Sequence, residues 1–229
     1  VGRDVSSYAV RQKPSCVSKE VVLKADHLCG EGFSDISFEL HKGEILGFSG
    51  LVGAKRTEVM RAVFGVDKRT GGDIYIKGQK VNPHSPQEAL RHGIGLISEN
   101  RKTEGFVPIM SNAMNMALAS LSSLLDKYID YGVVLNNKKL ESLVKDNIDK
   151  MSIKTPSTKT QIQSLSGGNQ QKVILAKWLA TDVDILIFDE PTKGVDVGAK
   201  AEIYSLMEDF VASGKSIIMI SEEMPELIG

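Results

Sequence analysis

Two adjacent carboxylates, Asp189 and Glu190, follow an apolar run and are the residues in this chain most directly suited to chemistry. The run Asp184 to Asp189 reads as a buried strand, so both acids stand at a strand end. In phosphoryl transfer an acid so placed holds Mg2+, and a neighbouring carboxylate orients or deprotonates the attacking water. Asp189 suits the first role and Glu190 the second. A solvated strand end with no chemistry is the plain alternative, so the pair alone decides nothing.

A second group lies upstream. Gly50-Leu51-Val52-Gly53-Ala54-Lys55-Arg56-Thr57 sits between an apolar run and a helical pattern. A phosphate loop of the form G-x-x-x-x-G-K-[ST] has glycine, lysine and hydroxyl where this chain has Lys55, Arg56 and Thr57. Backbone N–H groups at the helix start can still face phosphate oxygens. Thr57 can offer its hydroxyl to Mg2+. Arg56 keeps the positive charge on a bulkier, differently aimed fork. Lys55 puts a side chain where the template wants none, and a plain glycine-containing turn is the competing reading.

A third group, Leu165-Ser166-Gly167-Gly168-Asn169-Gln170-Gln171, precedes another helix. Ser166 is expected to cap it, and the Ser-Gly-Gly amides with the helix dipole make an anion site. A flexible capping loop is the alternative. The joint order of all three groups, with Pro191-Thr192 and Gly194-Val195-Asp196 after the acids, is not a chance product.

These groups need elements to hold them. Short strands are expected at Glu20 to Lys24, Asp35 to His41 and Asp73 to Lys77, the second with Ile36, Phe38 and Leu40 inward. Ile45 to Phe48 reads as a strand buried on both faces, Ile94 to Ser98 and Ser216 to Ser221 as further strands. Helices are expected at Thr57 to Phe64, Pro86 to His92, Asn169 to Thr181 and Ala199 to Ala212. From Pro108 to Met151 apolar residues recur at helical steps, through Met110, Met114, Leu121, Leu125, Leu140 and Val144. Met110, Met114 and Met116 are core filler or a docking face for a partner helix. Alternating α and β units argue for a mainly parallel sheet with helices outside, interrupted by this helical insertion.

The chain has 229 residues, 41% apolar and 25% charged, with net charge -1. That is enough for one core with an inserted subdomain. The charge gives no pull toward nucleic acid, so a phosphate ligand must be held by local geometry. Cys16 and Cys29 form no metal spacing with the four histidines. No stretch approaches the ~20 apolar residues of a membrane span. Residues 1–19 read as linker, and both ends read as cuts inside a longer protein.

These motifs resemble ATP-binding-cassette ATPases over nearly the whole chain. The loop 50–57, the run Ser166 to Lys172 and the run Asp189 to Lys200 are similar to the second nucleotide-binding half of bacterial monosaccharide importers, most of all the galactose/methyl-galactoside type, with ribose and xylose importers close. Val1-Gly2-Arg3-Asp4 resembles the connector between the halves. The resemblance implies an α/β P-loop NTPase with a mainly parallel core sheet, an N-terminal antiparallel β subdomain and a helical subdomain at about 107–164, all within residues 20–229. It implies ATP and Mg2+, with Gly50 to Thr57 on nucleotide and Thr57, Asp189 and Glu99 toward the metal. Glu190 is the implied base, Glu222 the switch position after the last strand, and Gly194, Val195 and Asp196 the loop facing the other half. Leu165 to Gln170 is the signature that serves ATP held by the partner half. Glutamine is usual where Glu99 stands, and histidine where Glu222 stands. The adenine-stacking aromatic finds no match beyond Phe33. These departures imply slow hydrolysis at the chain's own loop; a nucleotide-binding module without turnover is the other reading. The implied partners are an N-terminal cassette half of the same polypeptide, transmembrane permease subunits and, indirectly, a periplasmic or lipoprotein sugar-binding protein, at the cytoplasmic face of the plasma membrane. Arg101, Lys102 and Glu104 are candidate permease contacts or plain solvated loop residues.

Overall fold

The computed structural model describes residues 14–120, 129–130, 134–135, 137–181 and 183–228. They fall into two compact units, one within residues 14–99, 183–193 and 200–228, the other within 100–181 and 194–199.

The first unit holds two sheets. One is antiparallel, in the order β2-β1-β4-β5, from β1 (Val21–Gly30), β2 (Phe33–His41), β4 (Arg69–Ile76) and β5 (Gln79–Lys80). Alternation decides its inner face: Leu23, Ala25, Leu28, Leu40 and Ile74 are fully buried, while Ser37 and Glu39 face out. β1 runs six residues past its expected end because bulges let it pair with both neighbours through Gly30.

The other sheet is parallel, in the order β3-β10-β9-β6, from β3 (Ile45–Phe48), β6 (Ile94–Ile97), β9 (Ile185–Asp189) and β10 (Ser216–Ile220). Every residue of β9 and β10 is buried, as continuous apolar runs in a parallel sheet should be. β3 departs from expectation. It lies at the sheet edge, paired with β10 and half-exposed rather than buried on both faces. Helices α1 (Arg56–Val63), α2 (Pro86–Arg91) and α7 (Met224–Ile228) belong to this unit; α6 (Val197–Ala212) leads from β9 toward β10. Ser85 caps α2 by accepting from the Glu88 N–H at 3.2 Å.

The second unit holds α3 (Asn112–Ala117), α4 (Asn137–Lys150) and α5 (Gly167–Leu179). The expected continuous helical pattern from Pro108 to Met151 is broken. The chain stays irregular to Ser111, and Ile129–Asp130 (β7) pairs with Val134–Leu135 (β8) as a small hairpin. Leu121 and Leu125 lie outside the described residues. Asn115 explains the irregular start. Its amide donates to the carbonyls of Val107, Met110 and Ser111 at 3.1–3.3 Å and its oxygen accepts from the Val107 N–H at 2.8 Å. The methionines divide: Met116 is core, whereas Met114 is 37% exposed.

Candidate functional site

The parallel register brings the chemistry of the first unit together. Phe48 is aligned with Ile220 and Ile220 with Asp189, while Ile97 is aligned with Phe188. The loop 49–57, the acids Asp189 and Glu190, Ser221 and Glu222, and Ser98 and Glu99 therefore all leave carboxyl ends of neighbouring strands, where ligands bind in open α/β sheets.

Within the loop, Lys55 takes φ 63°, the left-handed conformation the template reserves for glycine. Its side chain leaves the loop. The ammonium pairs with Glu58 at 2.8 Å, and the stem lies on the β1–β2 turn, 2.9 Å from where a Cβ on Gly32 would sit. No side chain caps α1, so its first amides keep their capacity for an anion. Leu51 and Val52 at the loop tip are 86% and 88% exposed. Arg56 donates from Nη1 to the Ser221 carbonyl at 3.2 Å, and its Nη2 stands 3.7 Å from Glu222. The guanidinium is thus already engaged by the end of β10.

Asp189 is buried at the end of β9. Glu190 follows with φ 49°, an uncommon conformation for a glutamate, held by a hydrogen bond from its N–H to the Ile220 carbonyl at 3.1 Å. Its Oε1 is buried without a hydrogen-bond partner. Burial pushes the carboxyl up to about 7, with Glu222 and Asp189 adding to the rise; the Glu222 N–H and Arg56 oppose it. Glu99 pairs with Lys193 at 2.5 Å. Phe33 is half-buried, its ring stacked over Gly30.

Sequence reasoning missed a hub beside these acids. Glu226 of α7 accepts from Thr192 Oγ1 at 2.5 Å, Ser221 Oγ at 2.6 Å, Lys200 Nζ at 3.2 Å and the Tyr204 hydroxyl. Burial raises its pKa, but these bonds outweigh that and leave it below the usual carboxylate value. The only sequence signal is a glutamate four residues past Glu222, beyond any motif.

In the second unit the signature Leu165 to Gln170 opens α5. Ser166 stands at the cap position but does not cap. Its hydroxyl oxygen accepts from Asn169 Nδ2 at 2.8 Å, so the expected capping bond is absent and the Gly167 to Asn169 amides have no side-chain cap. Asn169 in turn accepts from the Lys154 N–H at 2.7 Å, and Gln170 donates to the Leu165 carbonyl at 3.0 Å. Gly194, Val195 and Asp196 lie in this unit. Arg101 is no solvated loop residue: it donates to the Gly194 carbonyl at 3.1 Å.

Magnesium is compatible with the donors present. Thr57 and Asp189 are hard oxygen donors, and Mg2+ is usually held by few protein oxygens with substrate phosphates completing its shell. Among the described residues no cluster of three metal-binding side chains exists that would hold an ion unaided.

The chain belongs to the ABC transporter family, whose model matches residues 33–193. It is 50% identical over 232 residues to the galactose/methyl galactoside import ATP-binding protein MglA of Clostridium tetani, covering 100% of this chain and 45% of that one. It is 45% identical over 229 residues to the ribose import ATP-binding protein RbsA of Lactococcus lactis, again covering 100% and 45%. The chain thus spans about half the length of these relatives. Among solved structures, a dimeric ATP-binding cassette in a post-hydrolysis state with ADP and Pi matches at TM-score 0.72 and 20% identity over 90% of each chain. A Clostridium perfringens protein from an ABC transporter complex matches at 0.70 and 19% over 90% and 80%. These share the cassette fold.

Proposed function

We propose that this chain is the second ATPase cassette of a bacterial monosaccharide importer of the galactose/methyl-galactoside or ribose kind. The observation that carries the reading is the strand register that gathers the loop 50–57, Asp189, Glu190 and Glu222 at one sheet end. The partners proposed are an N-terminal cassette on the same polypeptide, permease subunits in the plasma membrane and, through them, a sugar-binding protein. The chain acts at the cytoplasmic face. No helix among the described residues is long and apolar enough to cross a membrane.

The residues divide the work as follows. The loop 50–57 and the α1 amides hold the phosphates of ATP, with Thr57 and Asp189 holding Mg2+ and Glu99 beside them. Bound Mg2+ supplies charge neutralisation at the phosphates. Glu190 receives a proton from the attacking water; its unpartnered Oε1 is the accepting atom. Arg56 exchanges the Ser221 carbonyl for a phosphate oxygen, and Glu222 takes the switch position. That exchange, and the extra negative charge of Glu99 and Glu222, make this site slow. Residues Leu165 to Gln170 and Gly194 to Asp196 face ATP held by the other cassette.

The test is ATP turnover in the assembled transporter. Glu190→Gln is expected to remove a minor share of activity, and the equivalent change in the first cassette to lower it by about a hundredfold or more. If Glu190→Gln abolished most turnover while the first cassette's glutamate proved dispensable, the assignment of the slow site would be wrong.

A further inference from the structure

The two signature glycines leave no room for side chains, and what fills the room is specific. A Cβ on Gly167 would sit 2.9 Å from Arg101 Nη2 and 3.2 Å from the Gly194 carbonyl oxygen. A Cβ on Gly168 would sit 2.6 Å from the Cβ of Ala199. The segment 194–199 is therefore packed directly on the signature, with the Arg101 guanidinium wedged at the contact and donating to Gly194.

The far end of Arg101's own segment is fixed as well. Residues Arg101–Gly105 form a single π-helical turn. A Cβ on Gly105 would lie 2.8 Å from Ile174 Cδ1, and Lys177 Nζ donates to the Gly105 carbonyl at 2.8 Å. Ile174 and Lys177 belong to α5, the helix the signature opens. The turn thus runs beside α5, anchored on its body at one end and on its first residues at the other. Asp196 closes the arrangement, accepting from the Ala199 N–H at 3.0 Å.

We propose that Arg101 is a positioning residue that ties residues 194–199 to the signature, so that the Gly167–Gly168 amides and Asp196 meet the partner cassette's nucleotide as one preformed surface. This rests on the cassette reading above. A planar fork suits the position: it spans carbonyl and glycine faces together, where a lysine ammonium offers only a point charge. Preformed amides cost no reorganisation when a phosphate arrives.

The test compares Arg101→Met and Arg101→Lys in the assembled transporter by amide hydrogen exchange and by ATPase kinetics. For Arg101→Met, exchange at residues 166–169 and 194–199 is expected to rise together by about tenfold, with residues 172–179 unchanged. The kcat is expected to fall by about tenfold while KM for ATP moves less than about threefold. Arg101→Lys falls between wild type and Arg101→Met in both readouts. Unchanged exchange at the two segments overturns the proposal, and so does a rise spread evenly over the chain in both variants. Faster exchange at the two segments with wild-type kcat leaves the tie standing and overturns its service to the partner cassette's nucleotide.

Discussion

At the residue scale the site is set by two side chains in conformations that suit glycine. Lys55 carries φ 63°, a strain of about 1–2 kcal/mol for an ordinary side chain. Lys55→Val should lower stability by about a further 1 kcal/mol in urea denaturation, because a β-branched side chain fits positive φ worse than lysine does. Lys55→Gly should change it by less than about 1 kcal/mol, since relief of strain is offset by the flexibility of glycine in the unfolded chain. The Lys55–Glu58 pair is too exposed to matter. Glu190 is protonated through a wider pH range when folded, because its carboxyl sits near 7. Its base form appears only as pH rises through that value, so the turnover this site contributes should rise with an apparent pKa near 7 and vanish in Glu190→Gln. Stability runs the other way. The folded protein binds the extra proton between the ordinary glutamate value and about 7, so the group's contribution falls as pH rises through that window. Glu190→Gln should therefore raise the melting temperature at about pH 8 and leave it nearly unchanged at about pH 4.5. The sequence named both residues, but not their backbone strain, since φ is fixed by the turn each must make.

At the element scale the last short helix is held by chemistry rather than length. α7 has five residues, too few to persist alone. Glu226 holds it through four donors, and its side chain is 3% exposed. Glu226→Ala should cost about 2–4 kcal/mol, leaving the Thr192, Ser221 and Tyr204 hydroxyls short of a partner; chemical denaturation checks this. Its carboxyl is held below the usual value, so its contribution is complete above the ordinary carboxylate pKa and is lost as pH falls through the lowered one. The element types of the parallel sheet were readable because β9 and β10 are apolar runs. The Met110 region was not, because a helical apolar period says nothing of Asn115, whose amide satisfies a loop instead.

At the scale of the whole molecule, register does what sequence order cannot announce. Residues 48, 189 and 220 are separated in the chain and level in the sheet, and Ile97 stands one step back, beside Phe188. The motifs disclosed which residues matter; the edge position of β3 and the hub at Glu226 needed the assembled strands. The cassette reading also predicts assembly. The chain carrying Glu190→Gln, mixed with a first cassette carrying the equivalent change, should form a dimer on adding Mg-ATP and return to monomers on adding ADP. Light scattering after size exclusion reads this directly, and monomers throughout would count against a shared interface.

The left-handed backbone at Glu190 has a consequence for heredity. Of the residues that could stand there, glycine alone would relieve both the backbone strain and the cost of burying the carboxylate. Stability at neutral pH therefore lies on the side of losing the carboxylate. A lineage propagated on a carbon source that needs no importer should accumulate Glu190→Gly ahead of other replacements at this position, whereas growth dependent on the sugar should keep the glutamate.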